Sequence, residues 1–239
     1  MADSPAKRHY QRTLAAQEAA SKAPHELMDG ATAYEQHMAQ LQSDRLRLKQ
    51  VQSAQAKAEL KRDMLPAYGN YVAGVIEAGN GTPDEVLTTT MLWCIDVGAF
   101  HESLTVAEYV LRHGLAMPDR FERTTGCLVA EEIAEAALKA QKVGERFDAG
   151  ILARTSDLTV DQDMPDEVRA KLHLALGRAL LNGVTDATVP PGADVQAGVD
   201  NLKRAIELHS SCGGKKDLDR AERLLKKHAA PPANPGASS

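Results

Sequence analysis

From Ala31 to Met64 the chain carries neither glycine nor proline. Within that stretch Tyr34, Met38, Leu41, Arg45 and Leu48 follow one another four and three residues apart. That spacing predicts one long helix with a coiled-coil-like seam, which fades into Gln52, Gln55, Ala56 and Ala58. A helix this long and this polar on its outer faces is unstable alone, so the seam predicts pairing with a neighbour or with copies of itself. Tyr34, Met38, Leu41 and Leu48 are the expected oligomerisation contacts.

The rest of the chain extends the helical reading. Aromatic residues supply only 4% of it, alternating Val/Ile/Thr runs are almost absent, and 43% apolar content suffices for a core. The fold class is all-α. Ser4 and Pro5 form a cap and first turn for a helix to about Ala20, with Pro24 and Gly30 as breakers. After Pro66 a helix closes at Gly79 and Gly81. Two helical hairpins follow. The first has Leu87, Thr90, Met91, Cys94 and Ile95 inside, turns at Gly98, and returns through Leu104, Ala107 and Leu111. The second runs from Val168 to Leu181 and returns through Val195, Val199, Leu202 and Ile206. Between them "LVAEEIAEAALKAQKVG" is a helix ending at Gly144, and a last helix, 216 to 228, adds Leu218, Ala221 and Leu225. Trp93 with Phe100 makes the hairpins loosely tetratricopeptide-like. The expected division is a basic segment at 1–30, the long helix and its successor at 31–80, stacked hairpins at 81–228 and a disordered tail at 229–239.

Twice a proline precedes two carboxylates, Pro83-Asp84-Glu85 and Pro165-Asp166-Glu167. As chemistry these would be acid–base pairs; as local structure they are helix starts. Thr82-Pro83-Asp84-Glu85 reads as a capping box with Thr82 at the cap, and Asp163 or the backbone near Met164 serves the second start. No catalytic group remains. The only (D/E)xK triplet, Glu59-Leu60-Lys61, precedes every Pro-Asp and lies in the long helix, the wrong order and setting for a nuclease metal site. His101 and Glu102 near Asp96 read as a polar hairpin tip. Gly213-Gly214-Lys215-Lys216 lacks the upstream glycine and hydroxyl of a phosphate loop. Cys94, Cys127 and Cys212 have no CxxC spacing, so they are expected as reduced thiols, two of them in the core. No metal and no cofactor is expected.

What remains is binding. The net charge of −5 argues against coating nucleic acid by charge alone. Residues 1–65 nevertheless hold ten Lys/Arg against eight Asp/Glu. Lys7, Arg8, His9 and Arg12 in the first helix, and Arg45, Arg47 and Lys49 in the long one, are candidate phosphate contacts. Lys203, Arg204, Arg220 and Arg223 give the last helices a basic side suited to a partner protein. The N-terminal residues are polar and no apolar run approaches membrane-spanning length, so an intracellular protein without a membrane partner is expected.

Taken in order, "SPAKRHYQR", "YEQHMAQLQSDRLRLKQVQS", "KAELKRDMLPAYGNYVAGVIEAGNGTPDEVLTTTMLWCIDVGAF", "AEYVLRHGLAMP", "EEIAEAALKA" and "DMPDEVRAKLHLALGRALL" resemble the small terminase subunit of peduovirus-type tailed phages. The resemblance covers roughly residues 4 to 228. It implies a non-catalytic DNA-packaging factor in the cytoplasm of the infected host and absent from the mature virion. Such a factor recognises the packaging site on concatemeric double-stranded phage DNA, assembles as a homo-oligomeric ring, and recruits the large terminase subunit that carries ATPase and nuclease. The family is often labelled the endonuclease subunit, a label these residues support with no metal motif. Two rivals remain: a helical-repeat adaptor that binds only proteins, and a metal-dependent nuclease.

Overall fold

The computed structural model describes residues 4–23, 30, 32–117, 123–190 and 193–229. Eleven α-helices and one short 3-10 turn account for the secondary structure among them, and no strand occurs there. The chain divides into two compact units, Met1–Val129 and Ala130–Ser239.

In the first unit α1 spans Pro5–Ala20, with the Ser4 hydroxyl accepting from the Lys7 N–H at 3.2 Å and Pro5 in the first turn. Its inner face is only as wide as alanine, Ala15 and Ala19 being fully buried. That narrow face lies on α4, Gly69–Ala78, where Gly74 permits close approach. A Cβ added at Gly74 would stand 2.4 Å from the Arg12 carbonyl oxygen and 2.9 Å from the Ala15 Cβ. Asn80 closes the end of α1 by donating to the Ala19 and Lys22 carbonyls at 3.0 and 3.1 Å. Ala15 and Ala19 thus tie the basic N-terminal helix to α4, while residues 4–10 stay exposed.

The long helix is broken. α2 spans Thr32–Lys49, Ser53 caps a new helix by accepting from the Ala56 N–H at 3.3 Å, and α3 runs over Ala54–Met64. No glycine or proline marks the break; a serine hydroxyl replacing a backbone bond at a helix start is enough. Both α2 and α3 pack on α5, Glu85–Asp96. The seam is thereby spent within the unit, with Leu41 at 0% and Leu48 at 8% exposure and Tyr34 and Met38 half-buried. Of the four expected oligomerisation contacts, Leu41 and Leu48 are closed to a second copy in this conformation.

α5 and α6, Phe100–Arg112, form the first hairpin, turning at Gly98 with φ of 81°. The Ser103 hydroxyl donates to the Met91 carbonyl at 3.0 Å across it. Residues 86–91, Trp93 and Ile95 are all buried, so α5 is a central helix rather than a one-sided one. Its cap is Asp84, not Thr82: the carboxylate accepts from the Leu87 N–H at 2.9 Å. Thr82 is fully buried, and its hydroxyl has no hydrogen-bond partner among the described residues.

The unit boundary falls within α7, Thr125–Lys142. In the second unit α8, Ala149–Leu158, is a helix that the apolar pattern alone did not announce; Asp148 caps it by accepting from the Gly150 N–H at 2.8 Å. α9, Asp166–Leu180, starts behind Pro165, which holds the cap position and leaves Asp166 and Glu167 in the first turn. α9 and α10, Val195–Leu208, make the second hairpin, and α11, Lys215–Ala229, lies on α10. Leu174, Val199, Leu202, Ala205 and Ala221 form the core there. Of the three thiols only Cys127 is buried; Cys94 and Cys212 are half-buried, and all three are free. Pro24 and residues 230–239 of the expected tail lie outside the described residues.

Candidate nucleic-acid interface

The first turns of α1 bring Lys7, Arg8 and Gln11 to one wall of an open cleft of about 770 Å³, and α2 supplies Gln36, His37 and Gln40 to the other. Asp63, Pro66, Ala67, Gly69 and Asn70 complete the lining. The cleft is rich in carboxamides, groups that donate and accept at once, which suits hydrogen bonding to phosphates, sugars or base edges. The Asn70 side-chain N–H donates to Gln11 Oε1 at 3.4 Å, tying α4 to α1 beside the cleft.

His37 anchors this wall. Its Nδ1–H donates to the Ala33 carbonyl at 2.7 Å, because a carbonyl can only accept, and its ring stacks on Tyr71 with centroids 4.4 Å apart. Behind it the Tyr71 hydroxyl donates to the buried Asp84 carboxylate at 2.5 Å. Burial pushes Asp84 up to about 6, against the Tyr71 hydroxyl and the Leu87 and Val86 N–H groups, which hold it down. Burial, with Asp84 beside it, raises Tyr71 well above the usual phenol range. The neighbouring Tyr68 hydroxyl donates to the buried Asp44 at 2.8 Å and is likewise raised by burial. Two buried tyrosine–carboxylate bonds thus fix the helices that frame the cleft.

Of the seven expected phosphate contacts, only Lys7 and Arg8 meet in the cleft. His9 is exposed on α1. Arg12 turns away to Glu77 at 2.8 Å. Arg45 is held inside the unit, 2.6 Å from Glu85 and 2.8 Å from the Thr89 hydroxyl, which removes it from a phosphate-facing surface. Arg47 reaches Asp44 at 3.0 Å while staying largely exposed, and Lys49 is exposed at the end of α2. Gln11, Gln36, Gln40 and Asn70 were not singled out by sequence; the only signal was the four-residue spacing of Gln36 and Gln40 on a polar helix face.

The basic side of the second unit is partly structural. Lys203 reaches Glu222 at 3.0 Å, Arg204 reaches Glu207 at 3.1 Å, and Arg220 donates to the Val184 carbonyl at 3.0 Å. Arg223 is exposed. In the first unit an apolar groove of about 1060 Å³ lies along α4, α5 and α6, with Val72, Ile76, Val97 and Val106 inside and Arg62 and Glu102 among its polar lining. Cys94 in its wall is pushed up to about 11, chiefly by burial and then by Glu102. Asp96 at the hairpin tip is taken by Lys61 at 2.5 Å. Among the described residues no three His, Cys, Asp or Glu side chains converge as a divalent ion would need, and no helix there is long and apolar enough to cross a membrane.

The comparisons place this all-helical chain. The family profile for the phage small terminase subunit matches residues 38–167. The "Terminase, endonuclease subunit" of Escherichia phage P2 is 40% identical over 228 residues, covering 95% of this chain and 88% of that relative. No solved structure matches. The chain belongs to the phage small terminase subunit family. Subunits of this family are in general non-catalytic, and membership implies DNA and a large terminase subunit as partners.

Proposed function

We propose that this chain is the DNA-recognition subunit of a phage terminase. It binds the packaging site on concatemeric DNA, assembles as a homo-oligomeric ring, and recruits and regulates the large ATPase/nuclease subunit, with no catalysis of its own. The observation that carries the DNA part is the cleft in which Lys7 and Arg8 stand over carboxamides of α1, α2 and the start of α4. Weak sites of this kind gain avidity when repeated around a ring. His9, Arg47 and Lys49, all exposed, extend the same contact. Self-association falls to surfaces other than Leu41 and Leu48, with Tyr34 and Met38 the part of the seam still reachable. Large-subunit docking is assigned to α10 and α11, where Arg223 and the outer parts of Lys203 and Arg204 are open.

Removing residues 1–20 would not test DNA binding, because it strips Ala15 and Ala19 from the core. The test is Lys7→Gln/Arg8→Gln in the full chain, with duplex DNA binding measured against KCl, beside native mass spectrometry with and without DNA. A closed high-order species and a salt-sensitive affinity that the double variant lowers are expected. A monomer or dimer that ignores DNA would favour the protein-only adaptor, and DNA cutting by the purified chain with magnesium would favour the nuclease.

A further inference from the structure

Helix α2 presents two stripes. Ala33, His37, Leu41, Asp44 and Leu48 face inward, fully or half-buried. Beside them Gln36, Gln40, Ser43 and Arg47 recur four, three and four residues apart, and all four are exposed. At 1.5 Å per residue this outer line is roughly 16 Å long, the rise of about five base pairs. Its first half borders the cleft that holds Lys7 and Arg8.

We propose that α2 is the sequence-reading helix of this subunit: Gln36 and Gln40 contact base edges in the major groove, and Lys7 and Arg8 hold the adjoining phosphates. The inference rests on the DNA-binding reading above and adds which residues carry specificity. The major groove admits one α-helix, and a glutamine carboxamide pairs in bidentate fashion with adenine N6 and N7. Lysine and arginine on the flanking helix suit the uniform backbone, which carries no sequence information directly. The fold separates these tasks onto two helices. Arg47, at the far end of the line, spends one guanidinium N–H on Asp44 at 3.0 Å and is 57% exposed, leaving donors for a guanine or a phosphate. Asp63, also in the cleft lining, repels phosphate and accepts from a cytosine amino group, which suits a base edge beside it and leaves the backbone to Lys7 and Arg8.

The full-length chain is used to select from 30-base-pair duplexes with a randomised centre, and the selected duplex and a scrambled control are then titrated across KCl concentrations. Gln36→Ala/Gln40→Ala, at exposed helix positions that alanine suits, keeps the wild-type circular dichroism. It is expected to lower the preference for the selected duplex about tenfold with the salt slope unchanged. Lys7→Gln/Arg8→Gln is expected to weaken both duplexes alike and reduce the salt slope by about 2. A glutamine double variant that keeps the wild-type preference, or weakens both duplexes equally, overturns the assignment while leaving DNA binding intact. A wild-type chain that binds DNA but enriches no sequence also overturns it. A chain that binds neither duplex overturns the underlying reading as well.

Discussion

Each unit is built around one extensive helix pair, α1 with α4 in the first and α9 with α10 in the second, and glycine closes both, but against different neighbours. At Gly74 the nearest obstacle to a side chain is backbone, the Arg12 carbonyl oxygen. At Gly177 and Gly198 it is leucine side chain, Leu202 at 2.8 Å and Leu181 at 2.7 Å. A leucine can shift rotamer by some tenths of an ångström, whereas a carbonyl in a helix carries the helix with it. The interiors differ as well. The first unit buries carboxylates bonded to tyrosines; the second surrounds an aliphatic core, with the half-buried His173 in a bond to the Asn201 side chain at 2.8 Å. The first unit, which carries the cleft, is thus held by rigid and polar constraints, and the second by forgiving apolar ones.

Gly74→Ala is the strongest way to break this comparison. It should destabilise the first unit by about 3 kcal/mol or more, since either α1 or α4 must move. The sole tryptophan, Trp93, is buried in that unit, so its fluorescence during urea unfolding reports the change directly. An unchanged midpoint would show that α1 and α4 do not approach this closely in solution.

The buried titratable groups should respond to pH with opposite signs. Asp84 holds its proton more tightly folded than unfolded, so its contribution is full below about pH 4 and is lost as pH rises through about 6. The loss amounts to about 3 kcal/mol. Asp84→Asn can keep an acceptor for the Leu87 N–H and removes that slope, which Trp93 unfolding midpoints between pH 4 and 8 would show as a growing stabilisation over wild type. His173 is lowered, first by burial, so its contribution is present above its ordinary value of 6.5 and is lost as pH falls below it. His173→Gln should flatten that acid-side loss, read by hydrogen exchange of α9 amides. The same sign of response for both groups would contradict the assignment.

Gly177→Ala sharpens the contrast from the other side. The Leu202 side chain can yield, and the Gly198 carbonyl oxygen at 3.1 Å is a milder obstacle than the Arg12 oxygen is at Gly74, so a cost of about 1 to 2 kcal/mol is expected, smaller than at Gly74. Hydrogen exchange of α9 and α10 would measure it, and a cost equal to that of Gly74→Ala would erase the distinction. Smallest is Arg112→Ala, which removes an exposed pair with Glu108 at 2.7 Å on α6. It should change stability by no more than about 0.5 kcal/mol.

Legibility in the sequence followed how local each cause was. Ser4 and Pro5, the glycines at 79, 98 and 144, and the apolar stripes of α5, α6, α9 and α10 act within a few residues of themselves, and the structure shows those elements in place. The break at Ser53 was missed because a serine cap leaves no mark in composition, and α8 because its apolar positions are few. Asp84 rather than Thr82 caps α5 because Tyr71 and the unit's core hold its carboxylate inside, a contact between residues on different elements. The cleft was half visible. Lys7 and Arg8 stood out by charge, but their company of glutamines did not, since Gln11 and Gln36 come together only when α1 and α2 fold beside α4.

By itself the sequence determined an all-helical chain, most of its helix ends, the reading of its paired carboxylates as helix starts, and a family resemblance that the comparisons confirm. Tertiary structure alone decided which cations are drawn inside and which apolar seam is spent. Arg45 and Leu41 look like surface and interface on a lone helix, yet Arg45 is drawn to Glu85 on α5 and Leu41 is fully buried in the folded unit. Helical periodicity says which side chains share a face; only packing says whether that face meets solvent, a neighbouring helix or a partner.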